Sequence, residues 1–289
     1  MIVLVPVDVL NPRRVDEHFA AEANAARDAG LDVALIDHDL LVQNGDASRA
    51  VARVRSGGVA LYRGWMMQSH QYAAFGAALA ERGVILRTDA AQFRRAHELP
   101  GWYDALSDVT PFSVWTAGDE RTAFQAACAQ LGAGPAVLRD YVKSMKHYWN
   151  EAAFIPDVGD VDAAWATACR LRQLREDDFV GGFVLRRFEQ FVSAEARTWW
   201  VDGECRLIGP HPDTPDDFPP GDLDVTRFAP LIAGLGLPFV TVDLALRADG
   251  VWRVIEIGDG QVSDRPSTSE PGTFIEMLSS SGRPGSADG

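Results

Sequence analysis

Two acidic residues, Asp243 and Glu256, flank an Asp249-Gly250 dipeptide inside the stretch FVTVDLALRADGVWRVIEIGDGQ. Asp-Gly between two apolar, β-branched runs predicts a hairpin closed by a two-residue type I′ turn. In that register Ala248 lies opposite Val251, and Asp243 falls directly opposite Glu256. Facing side chains have Cβ atoms roughly 4.5–5.5 Å apart, where like charges destabilise the sheet. Three arrangements would relieve the pair. The acids can share a proton, with one pKa raised; an Arg or Lys can sit beside them; or a divalent ion can bind them. Carboxylate oxygens suit Mg²⁺, which also accepts phosphate oxygens. Just downstream, Asp259 on a glycine-flanked turn offers a third oxygen ligand. The plainer alternative is a shifted register with both acids at a wet sheet edge.

Cations gather elsewhere. The chain carries a formal charge of -14, yet residues 138–149, LRDYVKSMKHYW, hold Arg139, Lys143, Lys146 and His147. Taken as one strand, AVLRDYVKS puts Arg139, Tyr141 and Lys143 on one face, with Leu138 and Val142 toward the core. Arg offers phosphate a bidentate fork and Lys a mobile point charge. A solvated edge with an ordinary charge run is the bland reading, against which stand the interleaved Tyr141, Tyr148 and Trp149. Arg187 with Glu189, and Glu195 with Arg197, lie two apart on strands; exposed pairs of this kind contribute about 0–1 kcal/mol and decide nothing alone. Arg63, in LYRGWMM, falls at the end of a parallel strand, where open α/β sheets bind ligands. It reads either as an anchor for a substrate carboxylate or as an arginine packed on Trp65.

These residues need a scaffold. At 289 residues the chain exceeds one typical domain. Through residue 92, strands alternate with helices, which predicts right-handed βαβ units and a mainly parallel sheet. One of those helices is expected from Asp46 to Arg55. Beyond residue 92 come a helical bridge, a helix over Val161–Arg175, and antiparallel hairpins, giving an α+β region to residue 278. The polar tail 279–289 is expected to be flexible. Apolar residues make up 47% and no long apolar run occurs, so a soluble chain with no membrane partner is expected. Acidic balance argues against a nucleic-acid partner. Three scattered cysteines suit a reducing cytoplasm. No GxxxxGK[ST], GxGxxG after a strand, HExxH or GxSxG motif is present.

In this order the pieces resemble the ATP-grasp superfamily of carboxylate–amine ligases. EARTWWVDG is similar to the D/E-x-R…V-x-G stretch of ribosomal-protein glutamate ligases and glutathione synthetases, and DLALRADGVWRVIEIGDG to their metal-binding hairpin. YRGWM, HELPGWY, KSMKHYW and GDGQVSD together resemble a bacterial and phage clade of the superfamily. The resemblance implies a pre-ATP-grasp α/β domain over 1–92 and an ATP-grasp domain over 93–278, whose two α+β subdomains hold ATP between them. It implies that Arg139, Lys143 and Lys146 meet phosphates and that Arg186 to Glu189, with Arg187 and Glu189 among them, form the adenine hinge. Glu195 would meet ribose, and Arg197 the γ-phosphate. Asp243 and Glu256, with Asp259, would carry Mg²⁺, while Arg63 and His147 face substrate. The chain departs from the family pattern twice: Arg139 stands where a strand lysine is usual, and Gly258 where an Asn follows the metal glutamate.

The chemistry implied is activation of a carboxylate by ATP to an acyl phosphate, then attack by an amine, with Arg197, Lys143 and Lys146 neutralising charge. Small-molecule or peptide carboxylates and amines are the expected partners, and a homodimer is allowed. Two other readings stay open: an ATP-grasp kinase that releases a phosphorylated small molecule, and a non-catalytic nucleotide-binding regulator.

Overall fold

A computed structural model describes residues 1–221, 223–266 and 268–279. The expected flexible tail lies, from residue 280 on, outside the described residues. The chain divides into two compact units. The first gathers Met1–Ala96, Ala194–Asp243 and the described residues from Gly258 on; the second gathers His97–Ser193 and Leu244–Ile257. This division by contacts follows a different principle from the linear one at residue 92, because β-pairing joins segments distant in sequence.

The first unit begins with β1 (Ile2–Pro6), α1 (Ala20–Asp28), β2 (Asp32–Ile36), α2 (His38–Val42), α3 (Ala47–Ala50), β3 (Gly58–Tyr62), α4 (Ser69–Ala80), β4 (Val84–Leu86) and α5 (Ala90–His97). The four strands run parallel in the order β2-β1-β3-β4. β1 is a continuous apolar run because both of its faces are covered. Ile2 and Leu4 join the cluster of Tyr62, Tyr72, Phe75 and Phe93. Val3 and Val5 point the other way, toward Phe19, Ala23 and Ile275. The helix expected over Asp46–Arg55 is only the single turn of α3, after which Val51 and Val54 pack into the core in irregular chain.

The second unit continues with α6 (Leu99–Leu106), β5 (Ser113–Trp115), α7 (Arg121–Leu131), β6 (Ala136–Arg139), β7 (Phe154–Ile155), α8 (Val161–Arg175) and β8 (Val184–Arg187). Its sheet is antiparallel in the order β5-β8-β6-β7, with Phe124, Leu138, Leu171, Phe183 and Leu185 in its core. α8 has the expected bounds, and its cap Asp160 accepts from Ala163 N–H (3.1 Å). β6 is shorter than expected. It stops at Arg139 because the buried Asp140 carboxylate accepts from Val142 N–H (2.7 Å) and Lys143 N–H (2.6 Å), folding the chain back on itself.

Next come β9 (Ala196–Val201), β10 (Glu204–Pro210), α9 (Ala229–Gly234), β11 (Phe239–Leu246), β12 (Trp252–Asp259) and α10 (Pro271–Ser279). The strands are ordered β10-β9-β11-β12, and β11 and β12 each pass from one unit to the other. Within the first unit, Trp199, Val201, Phe239, Phe274 and Leu278 close over Leu61.

Two Asp-Gly turns differ. Asp202 and Gly203 both have positive φ, 50° and 83°, as a type I′ turn requires. At Asp249-Gly250 only the glycine does (84°). There Gly250 N–H donates to Arg247 O and Arg247 N–H to Val251 O, both 2.9 Å, which is a type I turn followed by a left-handed glycine. Arg247 locks Asp249 by a fork onto its carboxylate (2.8 and 2.6 Å). The expected type I′ turn is therefore corrected: Arg247, not Ala248, faces Val251. At the far end of the strands, a Cβ on Gly258 would lie 3.0 Å from Thr241 Oγ1, so those two residues share a face, as the expected register requires.

No helix among the described residues is long and apolar enough to cross a membrane.

Candidate active site

Asp243 and Glu256 belong to different units, and each has an arginine of its own within its unit. Of the three ways to relieve two acids, a neighbouring cation is the one found.

In the first unit, β9 carries Arg197 and β11 carries Asp243. The guanidinium forks onto the carboxylate, Nε to Oδ1 and Nη2 to Oδ2, each 2.8 Å. Burial pushes the Asp243 carboxyl up, but Arg197 and then His211 outweigh it and hold the group at about 2. His211 follows the end of β10 and is tied there by its own N–H, which donates to Glu195 O (3.1 Å). Its Nδ1 accepts from Asp213 N–H (3.1 Å), so in the neutral ring the proton sits on Nε2. Nε2 lies 3.5 Å from Asp243 Oδ2, 4.0 Å from Glu195 Oε2 and 2.9 Å from Arg197 Nη2. One ligand atom from each of Glu195, His211 and Asp243 falls within 4.8 Å of the others. Two carboxylates and an imidazole form a donor set that fits a divalent ion, with oxygen for Mg²⁺ or Mn²⁺ and nitrogen favouring the latter.

In the second unit, Arg139 is buried; its Nη2 donates to Val142 O (2.5 Å) and meets Glu256 Oε1 (3.3 Å). Beyond the reversal at Asp140, Lys143, Lys146 and His147 are exposed. The common strand face expected for Arg139, Tyr141 and Lys143 does not form, because the strand has ended. Arg186, also buried, donates to Ile255 O, Val254 O (3.0 Å) and Thr110 Oγ1, and so holds the segment that carries Glu256. Burial, with Arg139 nearby, pulls Arg186 down to about 9.

Other candidates serve as structure. The Arg187 side chain donates to Leu131 O and Ala133 O, the carbonyls at the end of α7. Glu189 accepts both prongs of Arg253, 2.9 Å each, and meets Arg247 at 3.4 Å. Arg63 is fully buried: Nε and Nη2 fork onto Glu22 (2.7 and 2.9 Å), and Nη1 faces Gly260 O, Gln261 O and Ser263 O at 2.6–3.0 Å. Its guanidinium lies over Phe274 rather than Trp65. It ties the segment after β12 to β3 and offers nothing to a substrate. Asp259 is likewise buried. Its Oδ1 accepts from Gln261 N–H (2.7 Å), and burial raises the carboxyl to about 7, which makes it a poor metal ligand and a structural cap.

Two contributors escaped the sequence. His211, in IGPHPD, is a lone histidine after a strand, with no spacing motif to mark it. Arg186 was grouped with a hinge, although its place inside the apolar run FVLRRF signals a buried, fully bonded arginine.

The nested βαβ sheet, the antiparallel sheets and the charged residues on their strands define an ATP-grasp fold. Residues 130–278 match an ATP-grasp domain family, the third of its clade, and the chain belongs to that family. Solved structures agree on the fold. D-cycloserine synthetase DcsG superimposes with a TM-score of 0.65 at 18% identity, covering 97% of this chain and 99% of its own. A RimK domain ATP-grasp protein from Sphaerobacter thermophilus gives 0.62 at 17%, covering 96% and 99%. ATP-grasp ligase PsnB, complexed with minimal precursor, Mg and ADP, gives 0.57 at 13%, covering 96% of each chain. No curated protein matches the sequence.

Proposed function

We propose that this chain is an ATP-dependent ligase that joins a carboxylate to an amine through an acyl phosphate, with Mg²⁺ as cofactor. The observation that carries the reading is the ionised Asp243 buried against Arg197 within an ATP-grasp domain. A buried ion pair is weak as a stability device, since apolar residues of equal volume often do as well or better. A charge kept where it costs stability is better explained by chemistry. Membership of the family supplies the nucleotide, and a neighbour complexed with Mg and ADP supports the metal.

In this reading Lys143 and Lys146 hold phosphate oxygens, and Arg139 contributes by fixing Glu256. Arg197 meets the terminal phosphate and the acyl phosphate that forms from it. Asp243 and Glu256 carry the metal, which when bound offsets phosphate charge. Glu195 stands near the nucleotide sugar, and His147 near the substrate. Proton and charge handling are left to positioned side chains, because phosphoryl transfer asks chiefly for alignment and neutralisation. Small-molecule or peptide carboxylates and amines are the proposed substrates, and free cysteines accord with a cytoplasmic place.

Hydroxylamine trapping tests the reaction. With ATP, Mg²⁺ and a panel of amino acids and peptides, one carboxylate should yield a hydroxamate together with ADP. ATP binding without any hydroxamate across the panel would overturn the ligase assignment, and a stable phosphorylated product would indicate a kinase instead.

A further inference from the structure

We propose that Glu195, His211 and Asp243 form a divalent-cation site whose seat is held by the Arg197 guanidinium, so that an ion enters only when Arg197 leaves. Arg197 Nη2 lies 2.8 Å from Asp243 Oδ2 and 2.9 Å from His211 Nε2. These two ligand atoms are 3.5 Å apart, a span that an ion roughly 2.0–2.2 Å from each would bridge. The arginine nitrogen therefore stands where that ion would stand. The charges agree as well: one guanidinium faces two carboxylates, and a dication would balance both.

Hydrogen bonding points the same way. With Nδ1 accepting from Asp213 N–H, the neutral ring carries its proton on Nε2, so two donors meet at 2.9 Å beside Asp243. A metal on Nε2 would remove that conflict. The ring proton would move to Nδ1, where Asp213 Oδ2, 3.7 Å away, is placed to accept it. A carboxylate behind a ligating imidazole is the usual way such a ring is oriented. The occupant that displaces Arg197 is an anion. This last point rests on the ligase reading, in which the terminal phosphate of ATP attracts Arg197. Metal at Asp243 then follows nucleotide rather than preceding it.

Mn²⁺ is the probe, with the full chain and no nucleotide, titrated by the loss of the free-ion EPR signal. Arg197→Met should bind Mn²⁺ about tenfold or more tighter than the parent. Pulsed EPR should show nitrogen coupling from an imidazole, absent in Arg197→Met/His211→Phe. No gain in affinity, or a gain without nitrogen coupling, overturns the proposal. Because Arg197→Met leaves Asp243 buried without its fork, Arg197→Gln, which can still donate to it, provides a second test. Mn²⁺ should raise the melting temperature of Arg197→Gln more than that of the parent, and an equal response in a folded variant counts against the site. In the parent, Mn²⁺ with a non-hydrolysable ATP analogue should show the same nitrogen coupling; a bound analogue without coupling refutes displacement by phosphate. If the analogue does not bind at all, the ligase reading fails, while the Arg197 variants still decide the cation site.

Discussion

At Asp243 burial and charge oppose each other, and the sign of a substitution follows from which one prevails. Like charges facing across a hairpin would make Asp243→Asn stabilising, but the Arg197 fork reverses that. Removing one member of a buried pair strands the other, so Asp243→Asn should cost about 3 kcal/mol, read by urea unfolding at pH 7, and should reduce ATP turnover at least about a hundredfold. The carboxyl titrates near 2 in the fold against an ordinary value of 3.8. Its contribution is therefore present above about pH 4, is lost as pH falls toward 2, and amounts to about 2 kcal/mol. Unfolding curves of parent and variant should converge over that window. Asp259 behaves oppositely. Its value near 7 lies above the ordinary one, so the folded state loses stability as pH rises from about 4 to about 7. Asp259→Asn should be the more stable protein at pH 8, by on the order of 2 kcal/mol, with the gap closing near pH 4. Residue types announced much of this chemistry: Arg197 and Asp243 stood out as charges on apolar strands. Their pairing did not, since it joins β9 to β11 across a register that sequence spacing leaves open.

Turns carry the element-scale lesson. Two Asp-Gly dipeptides have the same local code, yet Asp249 keeps a negative φ because Arg247 grips it, a contact between side chains that dipeptide statistics omit. Both glycines need left-handed φ, but their surroundings differ. Gly250→Ala meets open space and should cost only the backbone strain, about 1 kcal/mol. Gly203→Ala adds a Cβ 2.8 Å from that of Ala233 and should cost more, about 2–3 kcal/mol. Thermal unfolding of the two variants checks the order; equal losses would refute the packing term. β6 teaches the same point. AVLRDYVKS alternates like a strand, but a buried aspartate bonds its own backbone more readily than it pairs in a sheet, and Asp140 was the readable sign. α8 and the parallel β1–β4 sheet were legible because caps and apolar runs there agree with the fold.

For the whole molecule, the first unit is assembled from three stretches of sequence, which no contiguous reading could show. Helix α10 supplies Phe274, Ile275 and Leu278 to clusters that also contain β1 and β3 residues. Ending the chain at residue 270 removes three buried side chains, each contributing about 1.5–3 kcal/mol. The truncated protein should lose amide-exchange protection in β1 and β3 while keeping it in the β6–β8 pairing of the second unit. Arg63→Met should loosen the same segment by stranding Glu22.

That distant closure has a consequence for the order in which the protein comes into being. During synthesis the first sheet emerges early, while the residues that finish its core are translated long afterwards. Until they arrive, the apolar side of β1 beneath Ile275 stays bare on the ribosome, so termination ahead of α10 yields an insoluble fragment rather than a smaller working protein.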